Sequence, residues 1–241
     1  MPSPAVKLRQ RLDGVRRILA LDVRMDDPHS GLTKPRKRTL VNELRASCLI
    51  LPVAYFEEFL RDLVTHFATR LCSGRRRVPW SSLPQGLRRA LLYGSGTTLA
   101  KLHLVMNRQP SEAEMLTIYS RLASPLTSET LYQIPPEVLC NAQPNPGSES
   151  LAETMGRLGV TKVFPKVAQV LPTHGPAYHQ YSEGKAIRTK LDDIVHARHR
   201  VAHGGGVGNK SRTDIGEQID FLERLAAALQ QISLDHLRSL R

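Results

Sequence analysis

The sequence predicts an all-α chain, a helical bundle with a Pro- and Gly-rich irregular insertion between its first and last helix pairs. Three observations carry this. Apolar residues recur every three or four positions along four long stretches. No alternating apolar–polar run is long enough to build a sheet, and no internal repeat is present. Residues 94–148 are instead broken by Gly94-Ser-Gly96, Pro110, Pro125, Pro135-Pro136, Pro144 and Pro146, which punctuate regular structure rather than continue it. With 241 residues the chain is long enough to bury a real hydrophobic core.

Residues 3–24 read as an amphipathic helix, with Leu8, Leu12, Val15, Ile18 and Leu19 on one side and Arg9, Arg16 and Arg17 elsewhere. A polar break from Asp26 to Arg38 ends in Lys34-Pro-Arg-Lys-Arg38, expected to be a solvated loop, with phosphate contact the less favoured alternative. The main hydrophobic element is a helix over about 38–71. One stripe runs Leu40, Leu44, Cys48, Leu51, Tyr55, Phe59, Leu63 and Phe67, and a second runs Ile50, Val53, Leu60 and Val64. Two apolar sides mean burial in a bundle, or burial on one side and pairing with another subunit on the other. Pro52 should kink this helix by removing a donor and crowding the preceding turn. Glu57 lies within the second stripe and needs a cationic or donor partner, whether as a structural ion pair or as part of a site. Glu58, one position on, can be solvated.

Residues 73–82 form a basic loop, Arg75, Arg76 and Arg77 followed by Pro79 and Trp80. A short helix is expected over Leu83–Tyr93, then further short helices around 97–106, 111–123 and 128–133. Another covers Ser148 to Leu158 and stops at Gly159, and residues 161–182, interrupted by Pro and Gly, are expected to cover the bundle. A helix over about 184–203, a Gly/Lys/Ser loop and a closing helix over about 213–238 complete the chain. In the last of these Ile215, Ile219, Leu222, Leu225, Leu229 and Ile232 keep helical spacing, and Thr213-Asp214 can cap its start.

Composition narrows the function. Lys plus Arg exceed Asp plus Glu by 34 to 22, a formal charge of +12, and most of those cations are arginines. The guanidinium fork matches phosphate oxygens, so the bias fits a nucleic-acid partner. Trp80 is the only tryptophan, which argues against an array of base-stacking platforms. Cys48, Cys72 and Cys140 have no metal-type spacing. The N-terminal apolar run Ile18 to Val23 is short and broken by Asp22, and the run Cys48 to Phe56 is far too short to cross a bilayer. A cytoplasmic protein with reduced cysteines, and no membrane association, is expected.

The chemistry concentrates in Leu191-Asp-Asp-Ile-Val-His-Ala-Arg-His-Arg-Val-Ala-His-Gly-Gly-Gly206. His196, His199 and His203 fall here, interleaved with Arg198 and Arg200. Leu191, Ile194, Val195 and Ala202 suit a helix with one apolar side, which the triple glycine ends. Groups that titrate near neutrality beside fixed positive charge suit acid–base work on an anion. On a helix the three histidines also share a sector of about 60°, and with Asp192 they could hold a divalent metal. That reading is the less favoured one, as is a basic helix that only packs or faces solvent; no metal and no cofactor is expected.

Arg198-His-Arg-Val-Ala-His203-Gly204 resembles the Arg-polar-x-x-x-His signature of HEPN-domain ribonucleases. The stretch Ala54-Tyr-Phe-Glu57-Glu-Phe-Leu-Arg-Asp-Leu63 resembles the Glu-bearing first helix of the RiboL-PSP-HEPN and MAE-type branches. Thr213-Asp-Ile-Gly-Glu-Gln-Ile-Asp-Phe-Leu222 resembles their closing helix, and Ser148 to Val160 their middle one. The departure is His199, where asparagine or aspartate is commoner. Residues 1–35 and 94–145 carry no likeness.

The resemblance implies that residues 1–241 form a single HEPN-like domain. It implies a metal-independent endoribonuclease that leaves 2′,3′-cyclic phosphate and 5′-hydroxyl ends, acting as a toxin or phage-defence effector. It also implies a homodimer with a composite cleft, and a cognate antitoxin or defence-system partner. His203 would then transfer a proton, Arg198 stabilise the phosphate, His199 orient or contact it, and Glu57 position Arg198. Arg200, His196 and Arg75–Arg77 are the candidate RNA contacts. On a straight helix, positions five apart point about 140° apart, so Arg200 rivals Arg198 as the phosphate ligand. The alternative is a catalytically inactive RNA-binding or protein-interaction module.

Overall fold

Eight α-helices appear in the computed structural model, which describes residues 2–25, 33–72, 78–100, 111–127, 146–171, 180–208 and 210–240. They are α1 (Pro4–Met25), α2 (Lys34–Cys72), α3 (Gln85–Ala100), α4 (Glu112–Thr127), α5 (Ser148–Arg157), α6 (Val163–Val170), α7 (Gly184–Ala202) and α8 (Arg212–Ser239). Among the described residues there is no strand, and no helix is long and apolar enough to cross a membrane.

The structure departs from the sequence's expectations at several elements. Lys34-Pro-Arg-Lys-Arg38 is the exposed first turn of α2, not a loop, because Pro35 falls where a helix can dispense with a backbone donor. Helix α3 runs through Gly94-Ser95-Gly96, where a break was expected, and α4 runs to Thr127 through Pro125. A short helix, α6, forms within the stretch read as irregular cover, with Pro165 in its first turn. The cap of α8 is Ser211, not Thr213: its Oγ accepts the Asp214 N–H at 3.1 Å while its own N–H donates to Asp214 Oδ2 at 2.8 Å. The expected helix at 128–133 and the Arg75–Arg77 loop lie outside the described residues.

The chain divides into two compact units. The first comprises Met1–Phe59, Pro144–Ser148 and Phe164–Gln230. In it, Leu8, Leu12, Val15 and Leu19 of α1 are buried, as are Cys48, Leu49, Val53, Phe56 and Phe59 of α2. The two apolar stripes read from the α2 sequence merge into one broad buried side, and Leu51 and Tyr55 at its margin are half-buried. Asp22, which broke the apolar run of α1, is buried and held by Arg45 Nε at 2.8 Å. Burial, with the Asp22 charge second, pushes the Cys48 thiol up to about 11. Arg16 ties α1 to α8 through Asp220 at 2.6 Å and Glu223 at 2.5 Å. Glu58 is not merely solvated; it pairs with Arg11.

The second unit comprises Leu60–Gln143, Glu149–Val163 and Gln231–Arg241. Leu63, Val64, Phe67 and Leu71 of α2 are buried there, with Leu151, Met155 and Leu158 at α5 and Leu87 and Leu91 on α3. Phe67 stacks on His236, ring centroids 6.2 Å apart.

Candidate active site

Helix α7 is held by the side chains of Ile187, Leu191, Ile194, Val195 and Ala197, all buried. Ala202, expected on that side, is exposed instead, because it is the last helical residue. The start of α7 is pressed against α6: a Cβ on Gly184 would lie 3.1 Å from the Phe164 carbonyl carbon. Arg188 then sits over the Phe164 ring, 4.7 Å from its centroid. Midway along, Asp192 accepts hydrogen bonds from the Ser148 N–H and Oγ, both at 2.8 Å. With its apolar side and two anchors engaged, α7 leaves His196, His199 and Arg200 exposed and Arg198 half-buried.

The helix closes by a Schellman turn. The Gly204 N–H donates to the Val201 carbonyl at 3.1 Å and the Gly205 N–H to the Arg200 carbonyl at 2.9 Å. Gly204 takes φ +81°, a left-handed conformation that a side chain would oppose. His203 is therefore the C-cap, at φ −98° and ψ 22°, one step past the helical path. Its ring meets that of His199, centroids 4.2 Å apart and planes at 56°. Its ring neighbour is thus the histidine four residues back, as side-chain stacking along a helix dictates.

Arg198 carries its charge without a carboxylate: among the described residues it forms no ion pair, with Glu57 or any other acid, and its Nε is buried with no hydrogen-bond partner. Glu57 is half-buried, with Oε1 fully enclosed. Arg200 is laid along the glycine loop. A Cβ on Gly205 would fall 2.6 Å from its Cγ, and one on Gly208 would fall 4.0 Å from its Nη1. The sequence marked these glycines only as a helix stop and missed that they make room for this arginine. Among the described residues no three His, Cys, Asp or Glu side chains are gathered to hold a metal, and Asp192 is committed to Ser148. Arg75, Arg76 and Arg77 lie outside the described residues.

Two exposed imidazoles in contact, an uncommitted guanidinium one residue away and a second arginine on a glycine turn form a set that can move protons and hold a phosphate. The family model described as RiboL-PSP-HEPN matches residues 18–235. No curated protein and no solved structure matches the chain.

Proposed function

Since the chain belongs to the RiboL-PSP-HEPN family, we propose that it is an endoribonuclease that needs no metal. The observation that carries this reading is the His199–His203 pair, held 4.2 Å apart and exposed at the glycine-closed end of α7 beside Arg198. In the reaction the 2′-oxygen bonds to phosphorus as its proton leaves to a base, and the P–O5′ bond breaks as an acid supplies a proton to the departing oxygen. The products are a 2′,3′-cyclic phosphate and a 5′-hydroxyl. His203 is one proton-transfer group, since imidazole both donates and accepts near neutral pH. His199 orients it or contacts the phosphate. Arg198 neutralises the charge that grows on the phosphorane, whereas the positioning of Arg198 by Glu57 that the resemblance implied has no ion pair between the two to support it. His196, Arg200 and Arg75–Arg77 bind the RNA chain. The site is completed by a second copy of the chain, with the two motifs sharing one cleft, and the protein acts in the cytoplasm as a toxin or phage-defence effector with a cognate antitoxin or defence partner.

The test is cleavage of end-labelled RNA in excess EDTA by wild type, His203→Ala and Arg198→Lys, with analysis of the product ends. Cyclic-phosphate ends from wild type, lost in His203→Ala, and loss of cleavage with retained binding in Arg198→Lys are expected. An unchanged rate in His203→Ala overturns the mechanism. Binding without cleavage by wild type identifies an RNA-binding or protein-interaction module instead.

A further inference from the structure

Arg200 and the loop Gly204–Gly208 have features that a helix stop does not need. The helix is already closed by the Gly204 and Gly205 N–H groups. Beyond them the loop goes on alternating: Gly204, Gly206 and Gly208 have φ of +81°, +67° and +62°, while Gly205 and Val207 stay on the negative side. Alternating signs of φ are a feature of backbone nests, in which successive N–H groups receive an anion. Among the described residues nothing in the chain accepts from the N–H groups of Gly206, Val207 and Gly208. Arg200 lies over this loop in a place that exists only because Gly205 has no side chain. It is exposed, and among the described residues it has no carboxylate partner. A five-donor guanidinium above three uncommitted backbone donors matches a tetrahedral dianion or phosphodiester better than a carboxylate or a base edge.

We propose that Arg200 and the Gly206–Gly208 backbone form a second phosphate subsite. It holds a backbone phosphate of the RNA next to the one being cleaved. The assignment rests on the ribonuclease reading for its substrate, and it resolves the rivalry between the two arginines by giving them different phosphates. Arg198 serves the scissile phosphate, and Arg200 fixes the register of the strand. The enzyme therefore selects RNA that extends past the cleaved linkage over a dinucleotide.

The test uses uncleavable ligands, a series of 2′-O-methyl oligoribonucleotides with one to four phosphates, bound to the full-length protein across a range of salt. Wild type should gain affinity sharply when the phosphate count passes from one to two or three. Arg200→Ala should shrink that step roughly tenfold, as expected for a lost charge-assisted contact, and lower the log–log salt slope by about 0.7, one single-strand phosphate. Gly205→Ala keeps the net charge but displaces Arg200, and should shrink the same step. Arg224→Ala removes an exposed arginine on α8 and should leave the step intact. A full step in Arg200→Ala, no step in wild type, or an equal loss in Arg224→Ala overturns the subsite. Because the ligand cannot be cleaved, a wild type that shows the step yet cleaves no RNA retires the ribonuclease reading alone. A wild type that cleaves, with the step untouched in Arg200→Ala, retires the subsite alone.

Discussion

Helices α5 and α7 end in the same backbone device, put to opposite uses. At α5 the Val160 N–H donates to the Met155 carbonyl and the Gly159 N–H to the Gly156 carbonyl, both at 2.9 Å, with Gly159 at φ +87°. At α7 the corresponding residues are Gly205 and Gly204. The first turn is packed: Leu158 and Val160 are buried, and a Cβ on Gly159 would fall 2.9 Å from His236 Nε2 and 3.5 Å from Pro84 Cγ. The second is open: among the described residues nothing lies within 4 Å of a Cβ on Gly204, and both Gly204 and its neighbour His203 are exposed. The glycine at α5 serves the core, while the one at α7 lets the chain turn while leaving polar side chains and N–H groups to solvent. The same local sequence signal, a glycine after a helix, does not say which.

The sharpest way to break that contrast compares the histidine at each turn. His203→Ala should lower RNA cleavage by about 10²–10⁴-fold, the span expected of a general acid or base, with little change in melting temperature. His236→Ala, at the α5 turn, should do the reverse. Loss of its stack on Phe67 should cost about 1–3 kcal/mol of stability, read as a fall in melting temperature, while cleavage below that temperature persists. If His236→Ala abolishes cleavage in protein that remains folded, the division of labour is wrong.

Next in size is the glycine pair. Gly159→Ala meets both the left-handed backbone and the His236 ring, and should cost about 2–4 kcal/mol. Gly204→Ala meets only the backbone term, about 1–2 kcal/mol. Chemical denaturation of both variants checks this, and equal losses would mean that the packing at Gly159 is not what separates the turns.

The same contrast explains what was legible in the sequence. The four long helices were, because Leu8, Leu12 and Val15, or Ile215, Ile219 and Leu222, keep their period regardless of context. Burial of α2 as one broad side was not, since which of two stripes is covered depends on neighbours distant in the chain. Helix α6 was hidden because eight residues with Pro165 among them give too little period to outweigh a breaker. At the site, the residue types and the glycine stop were readable, and the His199–His203 contact follows from their spacing of four. The lie of Arg200 across Gly205 was not, because it depends on where the chain goes after the helix has ended.

The smallest effect concerns how the loop after Gly204–Gly208 hands over to α8. Ser211 and Asp214 exchange three hydrogen bonds there, with Ser211 Oγ and N–H both 2.8 Å from Asp214 Oδ2. Ser211→Ala should cost about 1 kcal/mol, the usual value of an N-cap. The bonds from Ser211, with Lys210 and Lys190 adding charge, hold the Asp214 carboxyl below its ordinary value. A carboxyl depressed on folding contributes stability above its unfolded pKa, near 3.9, and loses it as the pH falls through the folded value. The difference in unfolding free energy between wild type and Asp214→Asn should therefore be constant at neutral pH and shrink only below about pH 4. A difference that instead varied between pH 6 and 8 would mean that a group other than the Asp214 carboxyl governs this cap, and the loop could no longer be treated as a passive support for the turn.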